Sequence, residues 1–215
     1  MRFKFSIVIL ILISFFNIGA FSENLVNEYS FNELENLCFA KNKFVENGVK
    51  VQYKTNIDKD TEEKKITNYF KEIGLNEKSS DKLNYVNDAL KVEADIWNDK
   101  LYTYVNVTLI NTDVSYKTLE LQNIVGKLID KNSKEVQYFC YYKGKTDDIE
   151  KEYNTKILEK IMSESILKKA DILEVHNGYT GNVVLKDSQK INFAITRYDT
   201  GTYLIVGTPV IFAAY

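Results

Sequence analysis

The stretch Leu90-Lys91-Val92-Glu93-Ala94-Asp95-Ile96-Trp97, followed by Asn98-Asp99-Lys100 and Leu101-Tyr102-Thr103-Tyr104-Val105-Asn106-Val107-Thr108-Leu109, alternates apolar and polar residues on both sides of a short polar connection. Strict alternation around a turn-forming segment predicts a β-hairpin with one buried and one open face. Successive strand side chains point to opposite faces. Leu90, Val92, Ala94 and Ile96 therefore share a side with Leu101, Thr103, Val105, Val107 and Leu109, while Trp97, Tyr102 and Tyr104 fall on the other.

Outward from this hairpin the chain mixes helical and strand patterns. Ser30-Phe31-Asn32-Glu33 has the spacing of a capping box, and Leu34, Leu37 and Cys38 make a stripe that predicts helix over 31–43. Val49, Val51 and Tyr53 alternate with Lys50, Gln52 and Lys54, a strand with one solvated face. Asp60-Thr61-Glu62-Glu63 opens a second helix with the stripe Ile66, Tyr69, Phe70 and Ile73, stopped by Gly74. Residues 75–88 are polar and read as the longest loop. A third helix is expected over 117–130, then a strand at 135–143, a helix at 147–169, and strands at 171–177, 189–198 and 202–213.

The order of elements repeats. Each half reads helix, strand, helix, strand, strand, with room for an extra strand in the second. Val136-Gln137-Tyr138 echoes Val51-Gln52-Tyr53 at an offset of 85. Two pseudo-repeats, about 30–111 and 117–215, within one domain over 23–215 are the expectation. An α+β domain without a true repeat is the alternative.

A chain of 215 residues, 45% hydrophobic and 27% charged, can bury a sizeable core. Its first residues have another character. Arg2 and Lys4 precede the apolar run Phe5–Phe16, and Ala20-Phe21-Ser22 offers small residues at an export cleavage site. Residues 1–22 read as a signal peptide or, uncleaved, an N-terminal anchor. The protein is then extracytoplasmic, secreted or held at the outer face of the membrane. Without that segment 26 basic residues face 30 acidic ones, a charge of −4. A mildly acidic exported domain is a poor partner for nucleic acid, whose binding rests on neutralising phosphates.

Cys38 and Cys140 fall in apolar patterns, on an expected helix and an expected strand. A disulfide and two buried thiols are both compatible with an exported chain. Two cysteines and the single histidine, His176, make no zinc motif. His176-Asn177-Gly178 reads as a turn at a strand end. Asn111-Thr112-Asp113 and Asp147-Asp148 read as solvated caps rather than calcium ligands. No nucleophile elbow, phosphate-binding glycine loop or HExxH motif is present. No cofactor and no catalytic residue is expected.

The C-terminal block carries a family resemblance. Gly178-Tyr179-Thr180, the run Lys190-Ile191-Asn192-Phe193-Ala194-Ile195-Thr196-Arg197-Tyr198, the run Thr202-Tyr203-Leu204-Ile205-Val206-Gly207-Thr208-Pro209-Val210-Ile211 and the terminal Tyr215 resemble the YwmB family of exported proteins of low-GC Gram-positive bacteria. That family is described as TATA-box-binding-protein-like. The resemblance implies an α+β fold of two related halves forming a curved antiparallel sheet with helices packed on one face. It brings no activity and no catalytic residues.

The functional expectation rests on the aromatic side of the sheet. By the same parity Tyr198 and Tyr203 join Trp97, Tyr102 and Tyr104, with Phe139 or Tyr141 as further members. An open face carrying Trp and several Tyr suits sugars, peptides or a partner protein of the cell envelope. Aromatic residues also favour strands for their own sake. A carboxylate-based envelope hydrolase and a homodimer through the sheet face are the other readings.

Overall fold

The computed structural model describes residues 28–79, 83–146, 167–185 and 188–212. Residues 1–22, the expected export segment, and residues 147–166 of the expected fourth helix, with Asp147-Asp148, lie outside them. Among the described residues are three helices, α1 (Glu28–Lys41), α2 (Lys59–Glu72) and α3 (Thr118–Gly126). Ten strands accompany them: β1 (Lys43–Thr55), β2 (Asn76–Ser79), β3 (Leu83–Val86), β4 (Leu90–Asn98), β5 (Thr103–Asn111), β6 (Lys134–Thr146), β7 (Leu167–Val175), β8 (Gly178–Leu185), β9 (Lys190–Tyr198) and β10 (Gly201–Thr208). They form one antiparallel sheet in the order β2-β3-β4-β5-β1-β6-β10-β9-β8-β7.

The hairpin parity positions the core. Val92, Ala94, Val105, Val107 and Leu109 are buried on the same side as Val49, Val51 and Tyr53. Against them pack Leu34 and Cys38 of α1, Ile66 and Phe70 of α2, and Leu121 and Val125 of α3. All three helices thus cover one face of the sheet. The charge in the first turn of α2 suits the helix dipole, and Asp58, just before it, accepts the Thr61 amide at 3.0 Å. Gly74 ends this helix at φ +85, a backbone conformation that glycine adopts without penalty.

Residues 75–88 do not form a loop. They contain β2 and β3, which extend the hairpin outward. Strands of four residues are too short to display a period, so pairing with β4 decides their state. Tyr85 is the anchor: buried, stacked on Phe70 at 5.5 Å, and sharing a 2.7 Å hydrogen bond with Thr67.

In the second half Leu167–Lys169 belong to β7 rather than to a helix, and β8 is an additional strand. The Val-Gln-Tyr echo does not mark matching places. It lies near the end of β1 and near the start of β6, and Gln52 pairs directly with Gln137 across the central strand pair. Pro209 sits just past β10, a strand flanked on both sides by β6 and β9. No disulfide joins Cys38 and Cys140; both are buried thiols.

Candidate functional site

The face opposite the helices collects the even-numbered residues of β1 from Glu46 to Lys54 and of β5 and β9, and the odd-numbered residues of β4, β10 and of β6 from Gln137 to Lys145. Beyond the register breaks Lys43 and Lys134 join it as partners of Lys145 and Lys54. Trp97, Tyr102, Tyr104, Tyr198 and Tyr203 all stand on it, each half-buried. Phe139 and Tyr141 stand there too and are buried. The strand register separates them into two groups with an apolar stretch between.

The first group lies where β4 and β5 meet. Trp97 and Tyr104 are cross-strand partners, and their rings stack at 5.6 Å with 9° between the planes. Asp99 organises the connection below them. Its carboxylate accepts the amides of Leu101 at 2.7 Å and Tyr102 at 2.8 Å, and the Tyr104 hydroxyl at 2.9 Å. Those amides, with Tyr104, hold its carboxyl below the usual range. Two lysines sit over the Tyr102 ring, Lys54 at 4.7 Å and Lys134 at 5.3 Å from its centroid. Lys54 also pairs with Glu135, which takes φ 53 where β6 breaks register with β1.

The second group lies at the other end of the central strands. Tyr198 and Tyr203 meet edge to face at 5.7 Å. Lys143 sits 5.4 Å over the Tyr203 ring and 3.8 Å from Glu46. Lys145 is the cross-strand partner of Tyr203 on one side and of Lys43 on the other. The two groups are separated along β1 by the distance from Lys43 to Lys54, roughly 35 Å at about 3.3 Å per residue.

Between them Lys50 sits over Phe139 at 5.5 Å, and burial pushes its ammonium below the usual range against the opposing pull of Asp95. The chain after β10 folds back here. Phe212 meets Tyr141 edge-on at 5.0 Å. A side chain at Gly207 would lie 3.0 Å from Ile211, so a glycine there lets the segment approach the sheet.

The lysines are what reading the aromatic pattern missed. Their parity was visible in β1, where Lys50 and Lys54 alternate with the core residues. Their convergence on Tyr102 and Tyr203 depends on pairing with β6.

Other polar groups are engaged within the fold. Glu35 of α1 is buried and accepts the Thr118 hydroxyl at 2.5 Å and the Thr118 amide at 3.2 Å. Asn47 donates to it at 3.1 Å and accepts from Asn111 at 2.8 Å. Burial pushes the Glu35 carboxyl up, against these hydrogen bonds and Lys117. A small pocket beside it is lined by Phe31, Asn32, Thr118, Leu119, Gln122 and Cys140. Glu62 and Asp130 approach one another through Lys65, at 3.1 and 2.7 Å, as an ion-paired group over Tyr53. Asn111 donates to the Asp113 carbonyl, and Asp113 accepts the Ser115 amide, so this segment is a capped turn. His176 is exposed in the β7–β8 turn. Among the described residues there is no group of three or more His, Cys, Asp or Glu placed to hold a metal. No helix among them is long and apolar enough to cross a membrane.

What the fold and this face define is an α+β protein whose sheet carries the three described helices on one face and two aromatic groups on the other. No family model and no curated protein matches the chain.

Proposed function

We propose that this chain is an exported, non-enzymatic binding module of the cell envelope, of the YwmB type, that takes its ligand on the open sheet face. The observation carrying this is the Trp97–Tyr104 stack standing beside the lysine-flanked Tyr102 ring on a face without a helix among the described residues. Large rigid aromatic surfaces held in place by the fold bind at a low entropy cost. Export rests on the basic, apolar and small-residue succession of residues 1–22.

A duplicated, TATA-box-binding-protein-like architecture belongs to the same reading. The strand order is mirrored about the β1–β6 pair. Both of these strands run for 13 residues, from Lys43 to Thr55 and from Lys134 to Thr146. At that offset of 91 the register break at Val45 falls within the one at Glu135–Val136, and the buried cross-strand pairs Thr55–Thr103 and Thr146–Thr202 correspond. These correspondences favour an offset of 91 over the 85 of the Val-Gln-Tyr echo.

The test uses purified protein from residue 23 onward in pull-down with a cell-wall fraction. The double variant Trp97→Ala/Tyr104→Ala is expected to lose binding while keeping its circular dichroism spectrum. Unchanged binding by a folded double variant would overturn the sheet-face assignment.

A further inference from the structure

Like charges placed directly opposite one another in a sheet cost stability, and the central strand pair carries two such placements, Lys43 opposite Lys145 and Lys54 opposite Lys134. The two ends differ in what surrounds them. Lys54 is ion-paired with Glu135 and shares the Tyr102 ring with Lys134. Among the described residues no carboxylate lies within ion-pair distance of Lys43 or Lys145.

The register gathers further groups around this second pair. Tyr203 is the next cross-strand neighbour of Lys145, so Lys43, Lys145 and Tyr203 make one row over β1, β6 and β10, about 4.8 Å from strand to strand. Lys143 lies on the same face, its ammonium 5.4 Å over the Tyr203 ring and no nearer than 3.8 Å to Glu46. A side chain at Gly201 would meet Lys145 Cε at 2.5 Å and Nζ at 3.2 Å, so a glycine there leaves room for the Lys145 ammonium beside the β9–β10 turn. Gly201 pairs with Tyr198, whose buried hydroxyl has no hydrogen-bond partner among the described residues. Three lysines and an orphan hydroxyl thus stand around the Tyr198–Tyr203 pair.

We propose that this corner of the sheet, formed by Lys43, Lys143, Lys145, Tyr198 and Tyr203, binds a single phosphate group. Lysine acts as a compact point charge and is a common phosphate ligand, whereas carboxylates are matched best by the fork of an arginine. Arg197, the single arginine among the described residues, has the opposite parity on β9. A tetrahedral phosphate accepts ammonium groups from several sides and a hydroxyl as well. Its charge also relieves the repulsion between Lys43 and Lys145, so binding stabilises the folded protein. The site is bounded on its inner side by buried Tyr141, with Phe212 packed on it. It therefore takes a compact phosphate-bearing group rather than a ligand running along the strands. It lies apart from the Trp97–Tyr104 group and does not depend on it. A free phosphate compound and the headgroup of an anionic lipid offer the same chemistry.

The experiment has a soluble arm and a lipid arm. Calorimetric titration of the purified protein with inorganic phosphate and with glycerol 3-phosphate is the first. Co-sedimentation with phosphatidylglycerol vesicles, against phosphatidylcholine vesicles, is the second. Binding is expected in at least one arm, weakening with added sodium chloride and raising the melting temperature. The arm that responds identifies the source of the phosphate. Lys43→Thr and Lys145→Thr are each expected to weaken binding about tenfold or more, while melting without ligand at the same temperature or higher. Lys78→Ala, which removes the same charge from edge strand β2, is expected to bind as the wild type does. Absence of binding in both arms overturns the inference, as does undiminished binding by both folded lysine variants. An equal loss in Lys78→Ala overturns it too, because the effect then follows net charge. Equal or tighter binding of acetate overturns it in favour of a carboxylate.

Discussion

Glu35 and Thr118, 83 positions apart in the chain, meet in the core, where the Glu35 carboxylate accepts both the hydroxyl and the amide of the first residue of α3. A side chain from one helix thus satisfies an open amide at the start of another. The arrangement makes stability depend on pH. Glu35 is raised above its ordinary value by burial, so the folded state binds its proton more tightly than the unfolded state does. Stability then falls as pH rises from the ordinary carboxylate range through the raised value. Glu35→Gln keeps an acceptor for Thr118 and removes the charge, so its stability is expected to vary less with pH than that of the wild type over this window. Glu35→Ala removes the acceptor of the buried Thr118 amide and hydroxyl and is expected to cost about 2–4 kcal/mol. Urea melts between pH 4 and 8 measure both.

The stacked pair Trp97–Tyr104 gives a local reporter. Tyr104→Leu removes the ring and the hydroxyl that Asp99 accepts. The loss of an aromatic pair is expected to cost about 0.5–1.5 kcal/mol. Trp97 emission is expected to shift to the red as the indole becomes more hydrated, while the far-ultraviolet circular dichroism stays the same.

The two opposed lysine pairs predict an inverse effect. Replacing Lys43 with Thr removes a like-charge pairing with Lys145 and adds a β-branched residue to the strand. The ligand-free protein is expected to gain about 0.2–1 kcal/mol. The gain should shrink at high salt, where the repulsion is screened. A loss of stability at low salt would show that Lys43 carries packing that outweighs its repulsion.

Both cysteines should be silent in the folded protein. Cys140 is buried in β6, and burial with the nearby Glu35 pushes its thiol far above the ordinary range. Cys38 is buried on α1. An aromatic disulfide reagent at pH 8 is expected to find no fast-reacting thiol among the two until denaturant is added, and then to find both.

The segment after β10 offers a last test. Phe212 lies against Tyr141, and Ile211 lies over Gly207. Gly207→Val places a branched side chain where Ile211 packs and close to the Cys140 carbonyl, at a cost of about 1–3 kcal/mol. It is expected to lift this segment and make it a site of early cleavage in limited proteolysis. Equal protease resistance in the variant would mean that the segment re-packs on the sheet.

Local alternation set the faces. A strand has a period of two, so the alternation in residues 90–109 set which side chains enter the core and which stand opposite. The stripes of α1, α2 and α3 followed from the period of the helix in the same way. These are local relations between neighbours in the chain. Tertiary pairing decided the rest. Residues 76–79 and 83–86 became β2 and β3 because β4 offered an edge and Phe70 a place for Tyr85. The aromatic residues parted into two groups because the register of β1 against β6 carries Tyr102 to one end and Tyr203 to the other. The same register set Lys43 opposite Lys145 and Lys54 opposite Lys134, an opposition of charges that no local pattern encodes because its partners are 80 or more positions apart.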